Sequence, residues 1–188
     1  MDRQKNMECR PIALLGGACK LGAVLSYQLA AQGFIPIIID HRISNGLDIV
    51  ADEPRARFRE TKPSTRETLT VLEECCRQIG PLHGAVVLLE YGEAYLSAVG
   101  WRALMALCIQ EPVFVTIQSL NPNGPAHKPD TEIVKRFNRV IFKSDHTINT
   151  DDESLLEGKK CEVLSSLTGF LMSEDSKLID NQIFKISI

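Results

Sequence analysis

Residues 11–42, PIALLGGACKLGAVLSYQLAAQGFIPIIIDHR, constrain the fold of this chain more than any other stretch. Residues 12–15 are an uncharged apolar run, the pattern of a strand buried on both faces. Gly16 and Gly17 follow at once and allow a tight turn with close approach of a ligand to the backbone. Gly22 comes five residues after Gly17, where a missing side chain lets a new helix pack closely on the strand. Leu21, Val24, Leu25, Leu29 and Ala30 recur at helical spacing, Gly33 ends the helix, and residues 35–39 form a second apolar strand. A glycine turn opening a helix between two parallel strands gathers backbone N–H groups and a positive helix end at one spot. Such a spot suits a pyrophosphate. The spacing is not G-x-G-x-x-G, and a β-α-β turn of this kind also occurs as a purely structural device, so the strand–helix context carries the expectation.

Asp40-His41-Arg42 ends the second strand. An acid there would bind a ribose 2′-hydroxyl, whereas bases there would accommodate a 2′-phosphate. The chain carries both, which leaves NAD against NADP open. A third reading is that Asp40 and Arg42 only cap the strand in solvent.

The segment LGGACKLG resembles the T-G-x-x-x-G-x-G turn of short-chain dehydrogenases/reductases. It resembles the pteridine-reductase branch more closely, because a basic residue, Lys20, replaces the middle glycine and the pair His41-Arg42 follows the second strand. The resemblance implies NADP(H) bound through the phosphate contacts of Lys20, His41 and Arg42, with NAD(H) still possible. The implied cofactor site comprises Gly16, Gly17, Cys19, Lys20, Leu21, Gly22, Asp40, His41 and Arg42. Leu15 stands in place of the usual threonine, and Ile43 in place of the serine that often follows His-Arg.

The same resemblance exposes what is absent. After the fourth strand the family has N-N-A-G or N-N-A-S; here the run is LLEYGEAY, with Glu90 in place of asparagine. The family's proton donor is Tyr-x-x-x-Lys, in which helical spacing sets the lysine beside the tyrosine and lowers the phenol pKa. Tyr27, Tyr91 and Tyr95 are followed four residues on by Ala31, Tyr95 and Val99, none of them lysine. Glu90 and Tyr91 remain as substitute catalytic candidates. Gln110 and Pro112 match the family's helix with a supporting asparagine, a helix that often builds a subunit interface. A homo-oligomer, or association with a related reductase, is therefore expected. The leading function is a catalytically degenerate reductase-like protein that binds NADP(H) and acts by association. The alternatives are an active NADPH-dependent reductase of a pterin-like or other carbonyl or imine substrate, and a nucleotide-binding enzyme of another class.

For the rest of the chain the pattern predicts a loop or short strand at 46–54, a third strand at 55–61, a helix at 64–80 and a buried strand at 82–89. Ser64 and Glu67 form a capping box for that helix. Arg55, Arg57 and Arg59 alternate, which would place them on one face of the third strand as a charged, solvated edge. A long helix is expected at 101–120, a short strand at 139–143, a helix at 163–172 and a final strand at 182–188. The fold class is α/β: a Rossmann-like, doubly wound parallel sheet flanked by helices. It is expected to be shortened by about one strand-plus-helix unit, with 121–158 as an irregular replacement for the catalytic region.

With 188 residues the chain is expected to be one domain, with residues 1–9 a flexible N-terminus. A net charge of −3 argues against nucleic-acid or membrane-surface binding, which needs a basic surplus. No run approaches a membrane span and no apolar signal opens the chain, so the location is expected to be cytoplasmic. Six cysteines without a C-x-x-C pair or a histidine at ligand spacing give no metal site and read as free thiols. Cys19 is singled out. Its place near a helix N-terminus and beside Lys20 would depress the thiol pKa.

Overall fold

The computed structural model describes residues 10–88, 96, 100–119, 136–143, 158–180 and 182–187. They form β1 (Arg10–Leu15), α1 (Lys20–Ala31), β2 (Phe34–Asp40), α2 (Ile43–Asp52), β3 (Arg57–Glu60), α3 (Thr65–Ile79) and β4 (Leu82–Leu88). There follow α4 (Gly100–Ala106), β5 (Cys108–Ser119), β6 (Arg136–Lys143), α5 (Gly158–Met172), a 3-10 turn (Glu174–Ser176) and β7 (Ile183–Ser187). The sheet has seven strands in the order β3-β2-β1-β4-β5-β6-β7. Every neighbouring pair is parallel. This is the expected doubly wound α/β sheet, and its order reverses between β1 and β4.

Alternation along the strands builds a core on each face. Ile12, Leu14, Ile38, Val86 and Val115 pack against Leu25 and Leu29 of α1 and Leu164 and Leu171 of α5. Ala13, Leu15, Ile37, Ile39 and Val87 face the other way, toward Leu72 of α3 and Trp101 and Leu104 of α4. Trp101 meets Phe114 and Phe137 edge to face, at centroid separations of 5.5 and 5.8 Å. Such contacts add about 0.5–1.5 kcal/mol beyond burial. Ser64 caps α3 as expected, its hydroxyl accepting the Glu67 N–H.

The expected helix over 101–120 is a seven-residue helix followed by a strand. Ile109, Val113, Val115, Thr116 and Ile117 are β-branched, and Phe114 alternates with Val113 and Val115 between the two cores. Pro112, which cannot donate a ladder hydrogen bond, falls in an irregularity: Leu82 pairs with Cys108, but the next pair is Gly84 with Val113. Gly84 is needed there, because a Cβ would stand 1.8 Å from the Val113 carbonyl oxygen. Gln110 thus lies on a strand, not on a helix as the resemblance implied. A strand expected to be missing is present as β5, which brings the sheet to seven strands among the described residues.

Two further expectations change. Residues 46–54 are largely the helix α2, whose Gly46 lies against the Phe58 ring, where a Cβ would come within 2.3 Å. Gly46 and the acids Asp48, Asp52 and Glu53 gave that stretch a loop-like composition, and burial of Gly46 and Ile49, three residues apart, overrides it. Within 121–158, residues 136–143 are the strand β6 and residue 158 opens α5; residues 1–9, expected to be a flexible N-terminus, and the other residues of 121–157 lie outside the described residues. Of the three alternating arginines, Arg57 and Arg59 are in β3. Arg55 precedes it and donates to the Ala30 carbonyl at 2.7 Å, closing the end of α1. Among the described residues no helix is long and apolar enough to cross a membrane.

Candidate functional site at the glycine turn

The β1–α1 turn lies at the C-terminal edge of the sheet, beside the point where strand order reverses. Ligands of open α/β sheets collect there. Gly16 adopts φ 73°, a left-handed conformation that glycine accepts without strain, and its N–H donates to the Ile39 carbonyl at 2.9 Å. A Cβ on Gly17 would press to 3.0 Å from the Leu14 Cβ, and one on Gly22 would stand 1.9 Å from the Gly17 carbonyl oxygen. These two glycines therefore let α1 descend onto β1. Leu21 is a core residue, whereas Lys20 is exposed in the first turn of α1.

Cys19 is the N-cap of α1: its sulfur accepts the Gly22 N–H at 3.4 Å. Burial pushes the thiol above its ordinary value, and this outweighs the Gly22 hydrogen bond and the Arg42 charge, which pull the other way. The depressed, reactive thiol expected from the sequence is thus reversed, because the side chain turns into the protein to cap the helix.

Asp40 is fully buried and ties the turn to β2. Its Oδ2 accepts the Ala18 N–H at 3.0 Å and an Arg42 Nη2 hydrogen at 2.7 Å. Its Oδ1 accepts the backbone N–H and the Nε–H of Arg42, at 3.0 and 3.1 Å. The His41 ring Nδ1 stands 3.3 Å from the same oxygen. Burial alone would raise this carboxyl; the Arg42 side-chain and backbone hydrogen bonds, the Ala18 hydrogen bond and the Arg42 charge outweigh it and hold the group below the ordinary carboxylate range. Arg42 also donates to the Gly16 carbonyl at 3.2 Å. In this arrangement the acid and the base that sequence reasoning set against each other form one ion pair, and the pair braces the turn.

Beside the turn is a cavity of about 300 Å³ between α1 and α2, lined by Cys19, Lys20, Ala23, Asn45, Asp48 and Ile49. Asn45 donates to the Ala18 carbonyl at 3.2 Å. Asn45 and Asp48 were not among the sequence candidates: residues 46–54 read as a loop or short strand, and the i, i+3 pair Gly46 and Ile49 was the available signal. The site offers the positive end of α1, the Lys20 ammonium and the Asn45 amide, which suit an anionic group such as a phosphate, and the Asp48 carboxylate, which opposes one, within one cleft. Glu90 and Tyr91 lie outside the described residues, as do Tyr95 and Val99. Tyr27, the remaining tyrosine, is on the outer surface of α1.

Among solved structures, this fold matches a short-chain dehydrogenase/reductase of the glucose/ribitol dehydrogenase type from Brucella melitensis, with TM-score 0.69 at 13% identity over 96% of each chain. It also matches a short-chain dehydrogenase/reductase from Serratia marcescens, with TM-score 0.71 at 10% identity over 96% of this chain and 97% of that one. The chain has the short-chain dehydrogenase/reductase fold. Both matches span nearly the whole of the solved chains. The sequence itself matches no family model and no curated protein.

Proposed function

We propose that this protein binds a nicotinamide dinucleotide at the glycine turn and acts through association, with itself or with a related reductase, in place of the usual reductase chemistry. The observation that carries the reading is the turn: Gly16, Gly17 and Gly22 set the N-terminus of α1 against the strand ends, and Asp40 fixes it there. The residues fit such a cofactor. The end of α1 and Lys20 would face its phosphates, and Asn45 and Asp48 border the adjoining cavity. A bound nicotinamide supplies a hydride; a reductase must also supply a proton. No tyrosine of this chain has a lysine four residues on, and that supports a degenerate role. NADP(H) is favoured over NAD(H) by Lys20 and by the His41-Arg42 pair that follows β2.

Titration with NADPH and NADH by fluorescence or calorimetry tests cofactor binding; no saturation in the millimolar range with either would remove it. Assay of NADPH oxidation with dihydropterin and quinone substrates tests degeneracy. Turnover abolished by Glu90→Gln or Tyr91→Phe would replace this reading with that of an active reductase. Sedimentation with and without cofactor tests association, and a monomer in both states would oppose it.

A further inference from the structure

At the opposite end of the sheet, β1 begins at Arg10, α1 ends before Gln32, β2 begins at Phe34, and the last turns of α5 bring up Ser166 and Phe170. These residues, with Ser173 and Asp175, line an open cleft of about 510 Å³. Small-molecule sites span roughly 300–1,000 Å³. The glycine turn contributes nothing to it.

Its polar groups are arranged but incompletely used. The Arg10 guanidinium lies over the Phe34 ring, 4.2 Å from the centroid, and donates through Nη2 to the Gln32 carbonyl. Both ion pairs seen among the described residues belong to Asp40, so neither matches the Arg10 charge. The Gln32 side chain packs on α5 at Gly169, where a Cβ would stand 2.8 Å from Nε2. Its Oε1 is buried and has no hydrogen-bond partner. An unmade bond at a buried acceptor is costly, so the Gln32 amide gains by turning to a ligand N–H that enters the cleft. Ser166 accepts a hydrogen bond from Gln28 and keeps its own hydroxyl hydrogen to donate. Phe170 is 43% exposed at the rim, and the Asp175 carboxylate is exposed beside it.

We propose that this cleft is a second small-molecule site, for an α-amino acid with a large apolar side chain. The ligand carboxylate takes guanidinium N–H groups of Arg10 that the Gln32 carbonyl does not use, and the Ser166 hydroxyl, as charge-assisted bonds. The ammonium meets Gln32 Oε1 and Asp175. The apolar side chain covers Phe170 and removes that ring from water.

The test is calorimetry on the full chain with L-phenylalanine. Saturable binding is expected, and phenylalaninamide, lacking the carboxylate, and 3-phenylpropionate, lacking the ammonium, should each bind at least about tenfold more weakly. Arg10→Met and Gln32→Met should each weaken L-phenylalanine by a similar factor, while Arg57→Ala at the sheet edge should not. Because Arg10 also closes the end of α1, a companion measurement uses the unaltered protein: amide NMR shifts on adding L-phenylalanine should centre on Gly33 and Gly169. No saturable binding in the millimolar range, equal affinity for the three ligands, or shifts confined to the glycine turn would each overturn the proposal.

Discussion

Replacing Asp40 by asparagine should cost about 3 kcal/mol of folding stability, because asparagine keeps the shape of the side chain but not the acceptors that four N–H groups require. The carboxylate accepts from the Ala18 N–H, the Arg42 N–H, and the Nε–H and Nη2–H of Arg42. With asparagine, either orientation of the amide turns an NH₂ group toward two of these donors. Hydrogen bonds to a charged group contribute about 1.5–3 kcal/mol each, but the Arg42 share must be discounted, since its side chain is 21% exposed while that of Asp40 is 0% exposed. Removing one partner of a fully buried pair costs about 3–5 kcal/mol, so about 3 kcal/mol is a fair value for a pair open on one side. For a chain of this size that lowers Tm by about 6–12 °C.

Urea unfolding followed by circular dichroism checks the value, and a loss below about 0.5 kcal/mol would refute the bracing role. The pH dependence adds a second constraint. The folded carboxyl is held below its ordinary value, because the Arg42 and Ala18 hydrogen bonds and the Arg42 charge overcome burial. Its stabilisation is therefore complete above about pH 4 and is lost as pH falls through the lower, folded value. The gap between the unaltered protein and Asp40→Asn should be widest near neutrality and should narrow below about pH 4. A gap that stays constant there would show that the carboxylate charge is not its source.

Gly22→Ala should destabilise by at least about 2 kcal/mol, since its Cβ would meet a backbone oxygen at 1.9 Å and the helix must move; a chemical denaturation curve reads this. Gly84→Ala should disrupt β4–β5 pairing for the same reason and reduce soluble yield, whereas unchanged yield and Tm would count against the close approach at Val113. Native Cys19 should react slowly with a disulfide reagent at neutral pH and become fast on unfolding, because burial keeps the thiol protonated; mass spectrometry of the labelled peptide decides. Arg42→Ala should weaken NADPH more than NADH if Arg42 reaches the 2′-phosphate, and equal losses by calorimetry would confine it to its bracing role.

The sequence alone determined the start of this fold. The uncharged runs around Leu14 and Ile38 read as doubly buried strands, and the spacing of Gly16, Gly17 and Gly22 places a helix directly after the first. These are local signals, set by what a few neighbouring residues can do. It also determined that Tyr-x-x-x-Lys is absent, since spacing along one chain needs no structure. Residues 108–119 were misread because a mixed apolar run containing a proline fits a buried helix and a buried strand alike until Gly84 and Phe137 supply its neighbours. Residues 46–52 were misread because the Phe58 ring, distant in sequence, is what makes Gly46 a packed helical position. The candidate site divides in the same way. The glycine turn and the Asp40-His41-Arg42 segment were legible, but only tertiary structure turned the Asp40 carboxylate inward to Ala18, closed Arg42 over it and directed the Cys19 sulfur to the helix end. The direction of a side chain depends on the partners that folding brings within reach, and for these three residues the decisive partners are hydrogen bonds made in a buried turn.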